Sequence, residues 1–219
     1  MSTTGAGRTS VNKYDQLVKS RRRVFDHGEV FTPRWIVEDM LDLVGSETER
    51  IDARFLEPAC GSGNFLRPIL ERKFAAVQAR HGRSDFEKRH YALFALMCVY
   101  GVELLPDNLM ECHDGLAAMF DRFVGSSAGA EWHRAARSVL QVNVVQGDAL
   151  RMTDAAGEAI SFPEWGYLGR GKYQRRDFRL EDLTQRASAS VGLFEAFEED
   201  EIFKPIKTYP SMTVQEIAG

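Results

Sequence analysis

The chain alternates short runs of apolar residues with longer segments in which apolar residues recur every three or four positions. The short runs predict strands at 54–57, 98–103 and 142–145. The longer segments predict helices at 33–44, 66–77, 85–96, 106–123 and 131–140. Three strands separated by helices favour a parallel sheet, because parallel neighbours need long crossover connections. We therefore expect an α/β fold of the doubly wound, Rossmann-like class.

The helix predicted at 33–44 carries its apolar residues at helical spacing. Ile36, Met40, Leu43 and Val44 form that pattern, and Thr32-Pro33 supplies an N-cap residue followed by proline at the first helical position.

Both ends of the chain depart from this alternation. Residues 1–27 predict a partly flexible, helical N-terminal arm with a basic cluster at Lys19 and Arg21–Arg23. Residues 28–150 form the expected Rossmann-like domain, with a sheet truncated after its third strand. Residues 151–219 predict an irregular C-terminal extension that docks a partner, with a short hairpin from 160–162 and 178–180 and a helix near 180–197.

Composition narrows the class of protein without identifying a ligand. The chain has 219 residues, 44% of them hydrophobic, which excludes disorder throughout. Its net charge of −4 gives no basic excess pointing to nucleic acid. The longest apolar stretch, Tyr91–Val102, is far shorter than the ~20 residues that cross a bilayer. We expect no membrane partner, and the N-terminus lacks the apolar core of a secretion signal.

Cysteine and histidine spacing gives no sign of a disulfide framework or a metal site. The three cysteines, Cys60, Cys98 and Cys112, form no C-x-x-C pair, and the histidines show no metal-ligand spacing. We expect no metal and a cytoplasmic location.

A glycine loop follows the first predicted strand, and an acidic residue ends the second. Gly61 and Gly63 lie where ligands bind in open parallel sheets, and Glu103 is placed to accept hydrogen bonds from ribose hydroxyls. The loop lacks G-x-G-x-x-G, and Glu103 follows Gly63 by 40 residues rather than the ~20 of dinucleotide folds. No Gly-Lys-Ser/Thr follows, so a P-loop is also excluded.

Four segments resemble, in order, motifs of adenine-specific, amino-group DNA methyltransferases of restriction-modification systems. Residues 57–66, EPACGSGNFL, resemble the first motif of that family. Residues 28–33, GEVFTP, resemble the motif that precedes the first strand, while 100–104, YGVEL, and 146–150, QGDAL, resemble the second and third motifs. The resemblance implies the family's Rossmann-like fold and an S-adenosylmethionine cofactor.

The resemblance also implies roles for individual residues. Thr32 and Glu57 would hold the methionine part of the cofactor, beside the Gly61–Gly63 turn. Glu103 would bind the ribose, and Asp148 the adenine amine. The remaining implied cofactor contacts come from the same motifs: Pro58, Ala59, Asn64, Phe65, Leu104 and Ala149.

Each assignment has a structural alternative. Thr32 is also a helix cap candidate, and Glu57 and Asp148 suit loop capping. Phe65 and Leu104 suit the core, and Cys60 suits packing in the turn.

The family's catalytic motif, Asn/Asp-Pro-Pro-Tyr/Phe, is absent because no two of the seven prolines are adjacent. The nearest candidate, Phe162–Tyr167, has aromatic residues in the wrong order, so no catalytic residue is assigned. The family's later strands and target-recognition region also have no room.

Three interpretations follow from the missing motif. The chain is one subunit of a split methyltransferase that acts on DNA, with a second subunit bringing the catalytic motif and target recognition. It is a noncatalytic S-adenosylmethionine-binding regulatory protein. Or it is a small methyltransferase with a non-DNA acceptor. We favour the split subunit, because degeneration would be expected to blur the cofactor motifs.

Two groups of residues after 150 are candidates for contacts with partners. The aromatic group suits a docking surface or a small local core: Trp165, Tyr167, Tyr173, Phe178, Phe194, Phe197 and Phe203. The basic group suits DNA phosphates or a solvated face: Arg170, Lys172, Arg175, Arg176 and Arg179, with Lys19–Arg23.

Overall fold

The computed structural model describes residues 18–27, 29–189 and 204–219. These residues form a mixed α/β fold with a mostly parallel sheet of four strands and an antiparallel sheet of three. The start of the predicted arm, the last part of the helix predicted at 180–197, and Gly28, Phe194, Phe197 and Phe203 lie outside the described residues.

The helices follow the predicted apolar spacing closely. Ser84 caps the fifth helix by accepting a hydrogen bond from the Glu87 amide, and Pro106 opens the sixth. In chain order the helices are α1 Arg21–His27, α2 Arg34–Leu43, α3 Gly45–Thr48, α4 Leu66–His81, α5 Asp85–Met97, α6 Pro106–Val124, α7 Ala130–Asn143, α8 Leu180–Ala189 and α9 Val214–Ala218.

The four-stranded sheet has the order β1-β2-β3-β4. Strands β1 Phe55–Glu57, β2 Val99–Glu103 and β3 Val144–Asp148 are parallel, with Glu57 opposite Gly101 and Glu103 opposite Gln146. The expected end after the third strand is wrong, because the short strand β4, Thr153–Asp154, adds antiparallel to β3. The predicted start of β3 is also wrong, since Val142 and Asn143 still belong to α7.

The buried residues of α2 are not the ones that form the apolar pattern named from the sequence. Val37 and Leu41 are buried, whereas Met40, Leu43 and Val44 are exposed. Both faces of this helix are apolar, so spacing alone does not identify the buried one.

The core lies on both faces of the parallel sheet. Val99 packs in the larger cluster with the helices, while Tyr100 and Val102 point into a smaller cluster. That smaller cluster contains three residues from beyond 150, namely Ile160, Phe162 and Leu180.

Residues after 150 are more regular than expected. Strands β5 Ser161–Gly169 and β6 Lys172–Arg179 form a hairpin, and β7 Lys207–Thr208 pairs with β6. The predicted hairpin between 160–162 and 178–180 is confirmed, with Phe162 opposite Phe178, but the strands are much longer than predicted. The turn at Arg170-Gly171 has positive φ at both residues, as a two-residue hairpin turn of type I′ requires.

The described aromatic residues of this hairpin are core residues rather than a docking surface. Trp165 and Tyr173 are buried in the larger core cluster, and Tyr167 packs against it half-buried. Phe178 is buried.

Lys73 on α4 is completely buried below the start of β1. Its Nζ donates hydrogen bonds to the carbonyl oxygens of Arg50, Ile51 and Ala53 at 2.9, 3.0 and 2.5 Å. Burial lowers the pKa of Lys73 to about 8. The ammonium thus satisfies three carbonyls of the loop that leads into β1.

His90 on α5 anchors the hairpin to the helices. Its ring is buried between Phe86 and Trp132, and its Nδ1 lies 2.7 Å from the Tyr173 hydroxyl. A Cβ at Gly171 would come within 3.1 Å of this ring, so glycine is needed there. Burial lowers the pKa of His90 to about 4.

This buried histidine predicts a loss of stability in acid. The unfolded chain takes up a proton near pH 6.5, whereas folded His90 stays neutral down to about pH 4. As the pH is lowered from about 6.5 to about 4, the free energy of unfolding should therefore fall by roughly 1 kcal/mol for each pH unit. Urea unfolding of the wild type and of His90→Gln tests this. The free energy of unfolding should depend less steeply on pH in His90→Gln than in the wild type. An equal pH dependence in the two proteins would rule out His90 as the cause.

Within the described residues, no helix is both long and apolar enough to cross a membrane, and no group of three or more potential metal ligands is found.

Candidate functional site

Three acidic residues occupy the carboxyl ends of the three parallel strands. Glu57 ends β1, Glu103 ends β2 and Asp148 ends β3. The carboxyl ends of neighbouring parallel strands lie next to one another at the same end of the sheet. The fold therefore brings together three acidic residues that were predicted from separate motifs.

The glycine loop between β1 and α4 uses backbone conformations that only glycine adopts freely. Gly61 and Gly63 have φ of +54° and +94°. A Cβ on Gly63 would lie 3.0 Å from Cys112 Sγ, so the loop also packs tightly against α6. The buried Cys60 side chain packs against Gly101 of β2, which agrees with the packing alternative for this cysteine.

Glu103 joins this loop to the end of β2. Its side chain is buried, and its Oε2 accepts a hydrogen bond of 2.8 Å from the Gly61 amide. Its Oε1 accepts one of 2.9 Å from the Leu105 amide and a longer one of 3.4 Å from Asn108 Nδ2. A carboxylate oxygen accepts about two hydrogen bonds, so Oε2 retains capacity for another donor.

Glu57 and Asp148 each cap their own loop. Glu57 is half-buried and accepts a hydrogen bond of 3.2 Å from the Ala59 amide, and burial raises the pKa of its carboxyl group. Asp148 accepts hydrogen bonds from the amides of Leu150 and Arg151 at 2.9 and 3.2 Å. Loop capping is therefore present at both positions, while each carboxylate keeps further acceptor capacity.

Thr32 and Asn64 line a cavity of about 1000 Å³ between the start of α2, the start of α4 and α6, whose lining does not include Glu57, Glu103 or Asp148. Helix capping by Thr32 is not found, because Pro33 is the N-cap residue of α2 and no side chain caps that helix. The Phe31 ring, also in the cavity lining, would contact a Cβ on Gly61 at 3.6 Å. The cavity therefore adjoins the glycine loop.

The remaining predicted site residues divide by exposure. Pro58, Ala59 and Leu104 are exposed, so the core alternative for Leu104 is wrong. Phe65 is half-buried against the main core, and Ala149 packs against the smaller cluster.

The segment closest to a catalytic motif is structural. Phe162 and Trp165 are buried, and the Pro163 carbonyl accepts a hydrogen bond of 2.8 Å from the Tyr100 hydroxyl. Trp165 Nε1 donates to Asn143 Oδ1 at 2.9 Å. These aromatic rings are therefore not free to stack on a base.

The basic residues after 150 are only partly free for phosphates. Arg175 forms an ion pair with Asp177, and Arg176 pairs with Glu164. Arg170, Lys172 and Arg179 are exposed. Lys19 and Arg23 also pair with acidic residues, on α6.

Sequence motifs missed three polar residues around the loop. Asn108 is buried beside Glu103, and the half-buried Glu29 is hydrogen-bonded to Asn108. Arg67 lines the cavity, and its buried Nε lacks a hydrogen-bond partner. Glu29 lies in the GEVFTP segment, and Asn108 follows the YGVEL segment by four residues. Their closeness to these motifs in the sequence is the feature that could have identified them.

Comparison of the chain with protein-family models, curated proteins and solved structures found no match. The fold and the strand-end residues thus define a mixed α/β protein with an acidic residue at the end of each parallel strand.

Proposed function

We propose that the chain is the S-adenosylmethionine-binding subunit of an adenine-specific DNA methyltransferase of the restriction-modification type, with a Rossmann-like fold. The observation that carries the proposal is the bond between Glu103 at the end of β2 and the Gly61 amide in the loop after β1. It joins the two elements that would bind the ribose and the methionine part of one nucleoside cofactor.

The chemistry of the strand ends suits this cofactor. A buried carboxylate with spare acceptor capacity favours ribose hydroxyls, which are good donors. The positive-φ glycines leave the loop without Cβ atoms, so a ligand can approach its backbone closely. Asp148 would accept a hydrogen bond from the adenine amine.

The residues that would hold the methionine part of the cofactor do not line one common cavity. Of the two residues implied for the methionine part, Thr32 lines the cavity, while Glu57 lies at the end of β1. When bound, the cofactor supplies an activated methyl group; the chain's own residues would hold and orient it.

Two observations support a partner subunit that carries the catalytic motif. The Phe162–Tyr167 segment is used in the core, so it does not replace the missing motif. Strand β1 is at the edge of its sheet, and Leu56 on it is exposed. A partner strand beside β1 would cover this edge.

Mixing experiments test the split-enzyme proposal. The purified chain should bind S-adenosylmethionine but transfer no methyl group to adenine in duplex DNA. Methyl transfer should appear when a polypeptide bearing an Asn-Pro-Pro-Tyr motif from the same restriction-modification system is added. Labelled cofactor and an enzymatic digest of the DNA would identify the product. Robust adenine methylation by the isolated chain would refute the split.

A further inference from the structure

A hydrogen-bonded network connects the N-terminal segment to Glu103. Asn108 Nδ2 lies 2.6 Å from Glu29 Oε1 and 3.4 Å from Glu103 Oε1. Arg23 on α1 donates two hydrogen bonds to Glu29, at 2.5 and 2.8 Å, and its Nη1 donates to Asp107 at 2.6 Å. The network thus runs from Arg23 through Glu29 and Asn108 to Glu103.

The side chains that link Arg23 to Glu103 are largely removed from water. Asn108 is 1% exposed, Glu103 is 7% exposed and the Glu29 side chain is 8% exposed. Two carboxylates that share one amide donor in a buried setting repel each other unless their charges are compensated. Arg23 supplies a cation to Glu29, and Asn108 supplies a donor between the two carboxylates.

Titration of Glu29 agrees with this compensation. Burial raises its pKa, but the hydrogen bonds from Arg23 and Asn108 outweigh burial and hold the pKa below its ordinary value. Glu29 is therefore ionised at neutral pH, and Arg23 balances that charge.

We infer that Arg23, Glu29 and Asn108 are positioning residues that keep the Glu103 side chain oriented for a ribose hydroxyl, so that the N-terminal segment completes the cofactor site. This inference rests on the proposed function. Without the network, Glu103 would keep its two backbone donors but would face Glu29 with no donor between them. Its orientation toward a ribose would then be less restricted.

The test compares two ligands that differ in a single ribose hydroxyl, S-adenosylhomocysteine and its 2′-deoxy analogue. The wild-type chain should prefer the ribose form by about tenfold, the value of one hydrogen bond to a charged acceptor. Arg23→Met and Asn108→Ala should each reduce this preference to about threefold or less, while binding of the deoxy analogue changes little. A purely structural role would weaken both ligands alike.

Arg22→Met is the matched control for Arg23→Met. Arg22 is the preceding residue on α1, its side chain is 90% exposed, and it forms an ion pair with Asp26 on the same helix. It should keep the wild-type preference. Should Asn108→Ala fail to fold, Arg23→Met still carries the test, because Arg23 lies at the edge of the network.

The outcomes separate the inference from the proposed function. If the wild-type chain binds neither ligand, the proposed function is wrong. If the wild type binds both ligands without preference, or if Arg23→Met and Asn108→Ala keep the wild-type preference, the inference is overturned and the proposed function stands.

Discussion

Glu103→Ala is expected to weaken S-adenosylmethionine binding by about 100-fold. The substitution removes the one hydrogen bond that Glu103 Oε2 has capacity to accept from a ribose hydroxyl, worth about 1.5 kcal/mol, and the loosening of the glycine loop adds roughly 1 kcal/mol. It also leaves the Gly61 and Leu105 amides without their acceptor, which loosens the glycine loop. Calorimetry on the purified variant measures the affinity, and circular dichroism confirms that it is folded.

Asp85→Ala is the control for Glu103→Ala. Asp85 is also acidic, but its side chain is 82% exposed and its ion-pair partner is Arg89 on the same helix. Its substitution should leave the affinity unchanged. An unchanged affinity in Glu103→Ala as well would remove Glu103 from the site.

Lys73→Met is expected to destabilise the fold by about 3 kcal/mol, because it leaves the two buried carbonyls of Ile51 and Ala53 and the partly buried carbonyl of Arg50 unsatisfied, at about 1 kcal/mol each. For a chain of this size the melting temperature should fall by roughly 6–12 °C. The affected loop leads directly into β1, so binding that depends on Glu57 should weaken as well.

Lys88→Met is the matched control on the neighbouring helix α5. Its ammonium lies over the Phe123 ring at 4.7 Å from the centroid, an interaction worth about 0.5–1 kcal/mol where it is exposed. Thermal unfolding of both variants measures the difference. Equal melting temperatures would show that the carbonyls around Lys73 find other donors.

Local patterns were sufficient for most helices and for the existence of the three parallel strands. The spacing of apolar residues within a helix depends only on residues close in the sequence. It therefore predicts the helices at 66–77 and 85–96 correctly, although α4 continues to His81. Which face is buried depends on the rest of the fold. On α2, Val37 and Leu41 compete with Met40 and Leu43 for that face.

The hairpin was underestimated because its strands carry charged residues and glycines. Arg175, Arg176 and Asp177 interrupt the apolar pattern of β6, yet Arg175 packs over Trp165 and pairs with Asp177. Such compensation comes from side chains brought together by folding. The sequence signal that was available is the Gly169-Arg170-Gly171 turn.

For the candidate site, the predicted strand end and the family resemblance pointed to Glu103 but not to the residues around it. Glu29 and Asn108 are 79 positions apart in the sequence and meet only through the fold. Lys73 was missed for the same reason, since a lysine within a helix ordinarily reads as exposed.

Titration of the purified chain with S-adenosylmethionine in a calorimeter tests the central claim most directly. Saturable binding of one cofactor per chain is expected, with an affinity that falls about 100-fold in Glu103→Ala and remains unchanged in Asp85→Ala. Absence of binding by the folded wild-type chain would contradict the account, because the proposed function and the inferred positioning of Glu103 both require it.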